Sequence, residues 1–273
     1  MSTAAINLPK SLALRYALTG WAFFITENTV LSHNRTYLIS EIFNNDETAY
    51  HYFYGTLSTV ATGLTLHGYM KCRNAGPFRV VGRGWLGLAL GLQGLGLVGL
   101  SQMAPRLQVP FGYGPGGGAR GGGGEVGGGI GPNVSSSKFQ IRCPFDFTTS
   151  DHDLVSGVGR VSRHSQLWSF ASFSLGAAAA TASLPQALCL SGPLAVAFIG
   201  GAHQDYRFRR GWGGVLTEEM DERTSNVPFL AMVMGKQGGV GEVFGKMVEE
   251  GKGLNAGVAI LTAGALALRR GRM

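Results

Sequence analysis

The sequence predicts an all-α fold: a polytopic integral membrane helix bundle of about five to six transmembrane helices, with one amphipathic helix on its surface. Three observations carry that expectation. Hydrophobic residues make up 45% of the 273-residue chain and charged residues only 14%, with a positive mean hydropathy. The apolar residues are gathered in runs separated by polar loops. The 44 glycines exceed ordinary usage, and those inside apolar runs suit helices that pack closely in a membrane.

The first run, 12–31, reads as an uncleaved span. Lys10 and Arg15 beside Leu12, Ala13 and Leu14 resemble the start of a signal sequence, but no small-residue cleavage site follows. Glu27 sits late in this run, as an ionisable candidate or as an interfacial residue. The second run, 49–70, opens with Tyr50, Tyr52, Phe53 and Tyr54, suited to an interfacial aromatic belt. A short basic loop with Lys71, Arg73, Arg79 and Arg83 leads to a Gly- and Leu-rich third run, 85–100.

Residues 1–104 thus form an N-terminal set of spans, and 105–153 a flexible loop dominated by glycine and proline. Gly112-x-Gly114-x-x-Gly117 in that loop matches a dinucleotide fingerprint, as glycine abundance alone produces. Two further runs, 167–184 and 187–202, are near the lower limit for spanning, with Pro185 as the turn between them; they dominate a segment of polar motifs and paired helices, 154–237. The last segment, 238–273, holds an amphipathic helix and a final run, 256–268. In that helix Val240, Val243, Phe244 and Met247 share one face, and Glu242 and Lys246 are spaced to pair.

Cys72, Cys143 and Cys189 have neither zinc spacing nor an even count, and are expected as thiols. The formal charge of +7 is spread beside apolar runs and in loops, without a basic block. That argues against nucleic acid and for anionic lipid headgroups as partner.

If all six runs cross, His33, His51, His152, His164 and His203 share one face and His67 is left on the other. Glu27, Arg35, Arg163, Gln166, Asp205, Arg207, Arg223 and Thr224 join the five histidines, so one polar cluster at one membrane face is geometrically possible. Each has a plainer reading. A histidine at a helix end is commonly an interfacial hydrogen-bonder, Asp205 with Arg207 a structural ion pair, and Arg223-Thr224-Ser225 a cap for the segment after it.

Gly157-x-x-Arg160-Val161-x-Arg163-His164-x-Gln166, Asp205-x-Arg207, and Glu222-Arg223-Thr224-Ser225-x-Val227-Pro228-Phe229-x-Ala231 followed by Gly235-Lys236-Gln237 resemble the NnrU membrane family. Its plant and algal branch contains the plastid zeta-carotene isomerase. The likeness covers about Tyr50 to Gln237 and is firmest after Arg223. It implies a plastid membrane protein that binds heme b through histidines and turns a cis double bond of a polyene to trans, the protein supplying ligation, orientation and dryness. Carried over, it makes His164 and His203 the axial ligands, with His67 in reserve, and gives Asp205 and Arg207 a heme propionate; Arg163, Gln166, Arg223, Thr224, Ser225 and Pro228 complete the motif.

The sequence departs from the family pattern at several ligand positions. Ala61-Thr62-Gly63 stands where the isomerases have His-Ser-Gly, Ala197 and Phe198 stand near a histidine pair, and Ser165 replaces a proline. A heme-dependent carotenoid isomerase is therefore one reading, and a non-catalytic membrane subunit or scaffold with membrane-complex neighbours is the alternative. A transporter is the third, without visible broken-helix symmetry. A plastid membrane is the expected location and the mitochondrial inner membrane its rival, the N-terminus being short for a full transit peptide.

Overall fold

Each apolar run is helical. The computed structural model describes residues 12–73, 75–107, 111–115, 137–141, 145–146, 155–212 and 214–271, which fall into two units: Met1–Ala104 with Asp151–Met273, and Pro105–Ser150.

In the first unit α1 (Leu12–His33) leads through one helical turn, α2 (Arg35–Tyr37), and a π-helical turn, Leu38–Ile42, into α3 (Glu47–Cys72). Asp46 starts α3 sharply, its Oδ1 accepting from the amides of Thr48 (2.8 Å) and Ala49 (3.0 Å), as an aspartate N-cap should. Next come α4 (Arg83–Met103), α5 (Ser165–Ala180), α6 (Leu184–Leu190), α7 (Gly192–Phe208), α8 (Glu218–Arg223), α9 (Leu230–Val233), α10 (Val240–Glu250) and α11 (Gly253–Gly271). The turn before α6 is residues 181–183. Pro185 does not make it but opens the helix, where its missing N–H is no loss, and Ser183 supplies the cap.

α1 packs along α3 and α4 along α5; α7 touches both α1 and α5, α6 fills in beside them, and α11 covers α4. Glycine sets the approach of the two tight pairs. A Cβ at Gly20 would lie 2.6 Å from Thr65 N, and one at Gly176 would lie 2.6 Å from the Ala89 carbonyl, both impossible distances, so neither position accepts even alanine without moving a helix. At the α5–α6 turn, Arg79 donates from Nη2 to the Ala178 carbonyl (2.6 Å) and from Nε to that of Thr181 (3.2 Å). A cation there satisfies the orphan carbonyls of α5 and complements its dipole.

Two stretches, Arg83–Met103 and Leu184–Phe208, are long and apolar enough to cross a membrane, and Gly253–Leu266 is a shorter apolar helix. Among the described residues this is fewer than the about six spans expected. The physical reason is dilution: α1 carries Thr26, Glu27 and Asn28, and α3 carries Ser58, Thr59, Thr62, Thr65 and His67. At 16 residues, α5 is short. The amphipathic helix is found as α10, with Val243 fully buried and Lys246 Nζ 2.7 Å from Glu242. Cys72 and Cys189 are buried thiols; Cys143 lies outside the described residues.

In the second unit, the segment expected as a flexible loop carries two short antiparallel ladders among its described residues. β1 (Arg106–Leu107) pairs with β4 (Phe145–Asp146), and β2 (Phe111–Pro115) with β3 (Ser137–Ile141). Phe111 stands opposite Ile141 and Tyr113 opposite Phe139, so β-forming residues punctuate the glycines at the two-residue period a strand uses. Gly112 and Gly114 of the formal fingerprint belong to β2, not to a phosphate loop. Residues 116–136 lie outside the described residues.

Candidate functional site

The polar motifs converge at the C-terminal end of α7. The 157–164 stretch and the 222–237 stretch are stitched by backbone: Arg163 N donates to Ser225 O (3.1 Å) and Phe229 N to Val161 O (2.8 Å). Gln237 Nε2 bridges the carbonyls of Arg160 (3.0 Å) and Arg223 (2.9 Å). Ser162 Oγ donates to Asn226 O at 2.6 Å and accepts from His164 N at 3.1 Å, and Trp168 Nε1 donates to Asn226 Oδ1 at 3.1 Å. Asn226 lies where a Cβ on Gly201 would be, so α7 needs glycine there to admit the motif.

Inside this framework is a nearly closed ionic knot. His164 Nε2 is 2.7 Å from Asp205 Oδ1, and both side chains are only 8% exposed. Arg163 Nη1 is 2.7 Å from Asp221 Oδ1 and 3.8 Å from Asp205 Oδ2. Its Nη2 donates to the carbonyls of Thr224 (2.6 Å) and Asp221 (3.3 Å). Arg209 grips Asp221 in a fork, Nε to Oδ2 at 2.6 Å and Nη2 to Oδ1 at 2.8 Å, the bidentate geometry a guanidinium favours. The Arg209 guanidinium first, and then that of Arg163, hold the Asp221 carboxyl well below the usual carboxylate range. Beside the knot, Glu250 accepts from Gly157 N (2.6 Å) and from Arg160 Nε (2.9 Å), with Arg160 Nη2 closing the pair.

Of the residues singled out in the sequence, Arg163, His164 and Asp205 belong to this knot. Thr224 is fully enclosed and turns its hydroxyl to Met220 O, while Ser225 Oγ accepts from Ala231 N (3.2 Å) and caps α9. Arg223 lies on the surface in an i,i+4 pair with Glu219. Gln166 is exposed. Pro228 lines an apolar cavity of about 340 Å³ with Phe229, Leu92, Trp168 and Leu175.

His203 and Arg207 are elsewhere. Two residues along a helix turn it by about 200°, so His203, two before Asp205, and Arg207, two after it, face away from the knot. His203 Nε2 hydrogen-bonds Ser32 Oγ of α1 at 3.1 Å, and its ring lies 5.9 Å from that of His33. Asp205 and Arg207 are therefore not an ion pair. His67 packs edge-on against Tyr16 at 5.4 Å, near the start of α1, whereas His203 meets its end. Glu27 is buried in α1, its Oε1 accepting from Ser58 Oγ and from Asn28 Nδ2, both at 2.7 Å.

These positions do not fit an axial histidine pair. His164 is enclosed with one nitrogen on Asp205, His203 is on the other side of α7, and His67 is at the far end of the unit. No group of three or more His, Cys, Asp or Glu placed to hold a metal ion occurs among the described residues. Sequence reading did not single out Asp221, Arg209 and Glu250, and left Asn226 as an unassigned position inside the quoted motif. Asp221 directly precedes the quoted motif and Arg209 closely follows Asp205-x-Arg207, so proximity to a motif was the available signal; Glu250 joins through packing alone.

No family model, curated protein or solved structure matches this chain.

Proposed function

We propose that the chain is an integral membrane helix bundle of the NnrU type that serves as a heme-free, non-catalytic membrane subunit or scaffold. The observation carrying this reading is the commitment of the motif to itself: His164 Nε2 and Asp205 pair with one another, and Arg163 spends Nη1 and Nη2 on Asp221, Asp205 and the Thr224 carbonyl, leaving only its Nε without a partner among the described residues. Apolar side chains turned outward along α4 and α11, such as Leu95 at 61% and Leu261 at 75% exposure, suit contact with lipid tails and neighbouring helices. The plastid membrane is the first location to examine and the mitochondrial inner membrane the second, by fluorescent fusion.

The test is an absorption spectrum of the detergent-purified full chain reconstituted with hemin, oxidised and dithionite-reduced, beside a His164→Ala, His203→Ala double variant. A flat Soret region in folded protein, with partner proteins retained in mild detergent, is expected. A stoichiometric Soret band lost in the double variant overturns the reading. The carotenoid isomerase is the second reading, favoured by the apolar cavity beside Trp168, Pro228 and Phe229, which offers a polyene a dry surface. Conversion of zeta-carotene isomers by the purified chain would establish it.

A further inference from the structure

On the face of α7 opposite the ionic knot there is open space and an excess of positive charge. A cavity of about 630 Å³, within the size of small-molecule sites, lies between the end of α1, the turn that follows it and the end of α7. Arg35, Arg207, His33 and Trp212 line it. Glu47 is the one carboxylate on its lining, and it is taken by Arg35 at 3.5 Å. Among the described residues no carboxylate lies within ion-pair distance of Arg207. The Nε atoms of Arg35 and of Arg207 are both buried without a hydrogen-bond partner among the described residues. Arg163 Nε in the knot is buried in the same way, so what sets the cavity apart is its charge: with Glu47 on Arg35, the Arg207 guanidinium is left about one negative charge short.

A second cavity, of about 230 Å³, opens beside it and shares Ser32 and Arg207 with it. Its walls include Phe24 and Ile25 of α1, Leu167 of α5 and Val196 of α7. Its space owes something to Gly200, where a Cβ would meet nothing nearer than Val196 Cγ1 at 3.8 Å and Leu167 Cδ1 at 4.0 Å. Arg207 therefore stands at the junction of a polar cationic chamber and a mainly apolar slot between three helices.

We infer that this pair of cavities binds a phosphate-headed amphiphile, its head against Arg207 and Arg35 and one hydrocarbon chain in the slot between α1, α5 and α7. Guanidinium groups match phosphate oxygens in geometry and charge. After Glu47 has neutralised Arg35, the one remaining cation matches the single charge of a phosphodiester. Phosphate oxygens on a hydrocarbon chain are offered both by a membrane phospholipid, a diester of one charge, and by a free prenyl phosphate, a monoester of up to two charges. The inference rests on the heme-free reading, because His203 and Arg207 line these cavities; the Soret test and the lipid-binding test below fail independently.

The experiment measures binding of phosphatidylglycerol, geranyl phosphate, diacylglycerol and inorganic phosphate to the detergent-purified full chain. Phosphatidylglycerol or geranyl phosphate is expected to saturate, the tighter of the two naming the source, with diacylglycerol and inorganic phosphate weaker by about tenfold or more. Arg207→Gln should weaken the amphiphile by about tenfold, and Lys71→Gln, an exposed cation elsewhere, should leave it unchanged. Gly200→Leu should fill the slot, weakening the amphiphile but not inorganic phosphate, and it decides the matter if Arg207→Gln does not fold. Equal binding to Arg207→Gln and Lys71→Gln overturns the inference. So does unchanged amphiphile affinity in Gly200→Leu, or diacylglycerol or inorganic phosphate binding as tightly as the amphiphile.

Discussion

Asp205 and Arg207 stand two residues apart on α7, and their surroundings differ in kind. Asp205 faces His164 at 2.7 Å and Arg163 at 3.8 Å, partners supplied by the chain in a nearly dry space. Arg207 faces a cavity of about 630 Å³ whose lining carboxylate, Glu47, is on Arg35, and among the described residues no carboxylate lies within ion-pair distance of it. A polar residue at a helix end looks the same in a sequence whether it closes a structure or waits for a ligand. The difference lies in whether its partners are supplied by the chain, and helix geometry, turning by about 200° over two residues, sends neighbours to opposite fates.

Four substitutions or conditions sharpen that contrast, beginning with the largest effect. Asp205→Asn removes the carboxylate that compensates Arg163 and hydrogen-bonds His164 inside the knot, and should cost about 3 kcal/mol, read as a lower Tm in detergent. Glu250→Gln leaves Arg160 and the Gly157 amide with a weaker acceptor and should cost about 2 kcal/mol, measured by denaturant unfolding.

Acid gives a third, smaller effect. The folded-state pKa of Asp221 is depressed by Arg209 and Arg163, so its contribution is complete above the unfolded carboxylate value of about 3.9 and is lost as pH falls through and below it. With Arg209 half-exposed, the loss should be about 1 kcal/mol. Asp221→Asn should lower Tm at neutral pH and flatten its fall below about pH 4; an unchanged slope in the variant would contradict the assignment. The smallest effect is expected from Arg207→Gln. Removing a cation that has no ion-pair partner among the described residues should leave stability within about 0.5 kcal/mol of the parent, and a large loss of Tm would show that Arg207 has a structural role after all.

Much of the fold is legible because period and length are local properties. The runs at 12–31, 49–70 and 85–100 become α1, α3 and α4, and the spacing of Val240, Val243, Phe244 and Met247 yields α10 with its Glu242–Lys246 pair. The strand pairing of 111–115 with 137–141 was not legible, because glycine masks a two-residue alternation that only the partner strand makes meaningful. At the site, the quoted motifs contain Arg163, His164, Thr224, Ser225 and Gln237, which the structure holds in one hydrogen-bonded framework. Sequence reading grouped His203 and Arg207 with them because chain proximity says nothing about helix face. Ser32 meets His203, and Glu250 meets Arg160, only through packing between elements far apart in the chain.

The most direct test of the two-faced α7 is the thermal unfolding of the full chain, Asp205→Asn and Arg207→Gln, each with and without phosphatidylglycerol in detergent. The account predicts that Asp205→Asn melts lower but keeps its lipid-dependent rise in Tm, while Arg207→Gln melts like the parent and loses that rise. A rise retained in Arg207→Gln, or lost in Asp205→Asn while the parent keeps it, would contradict the division of labour between the two faces.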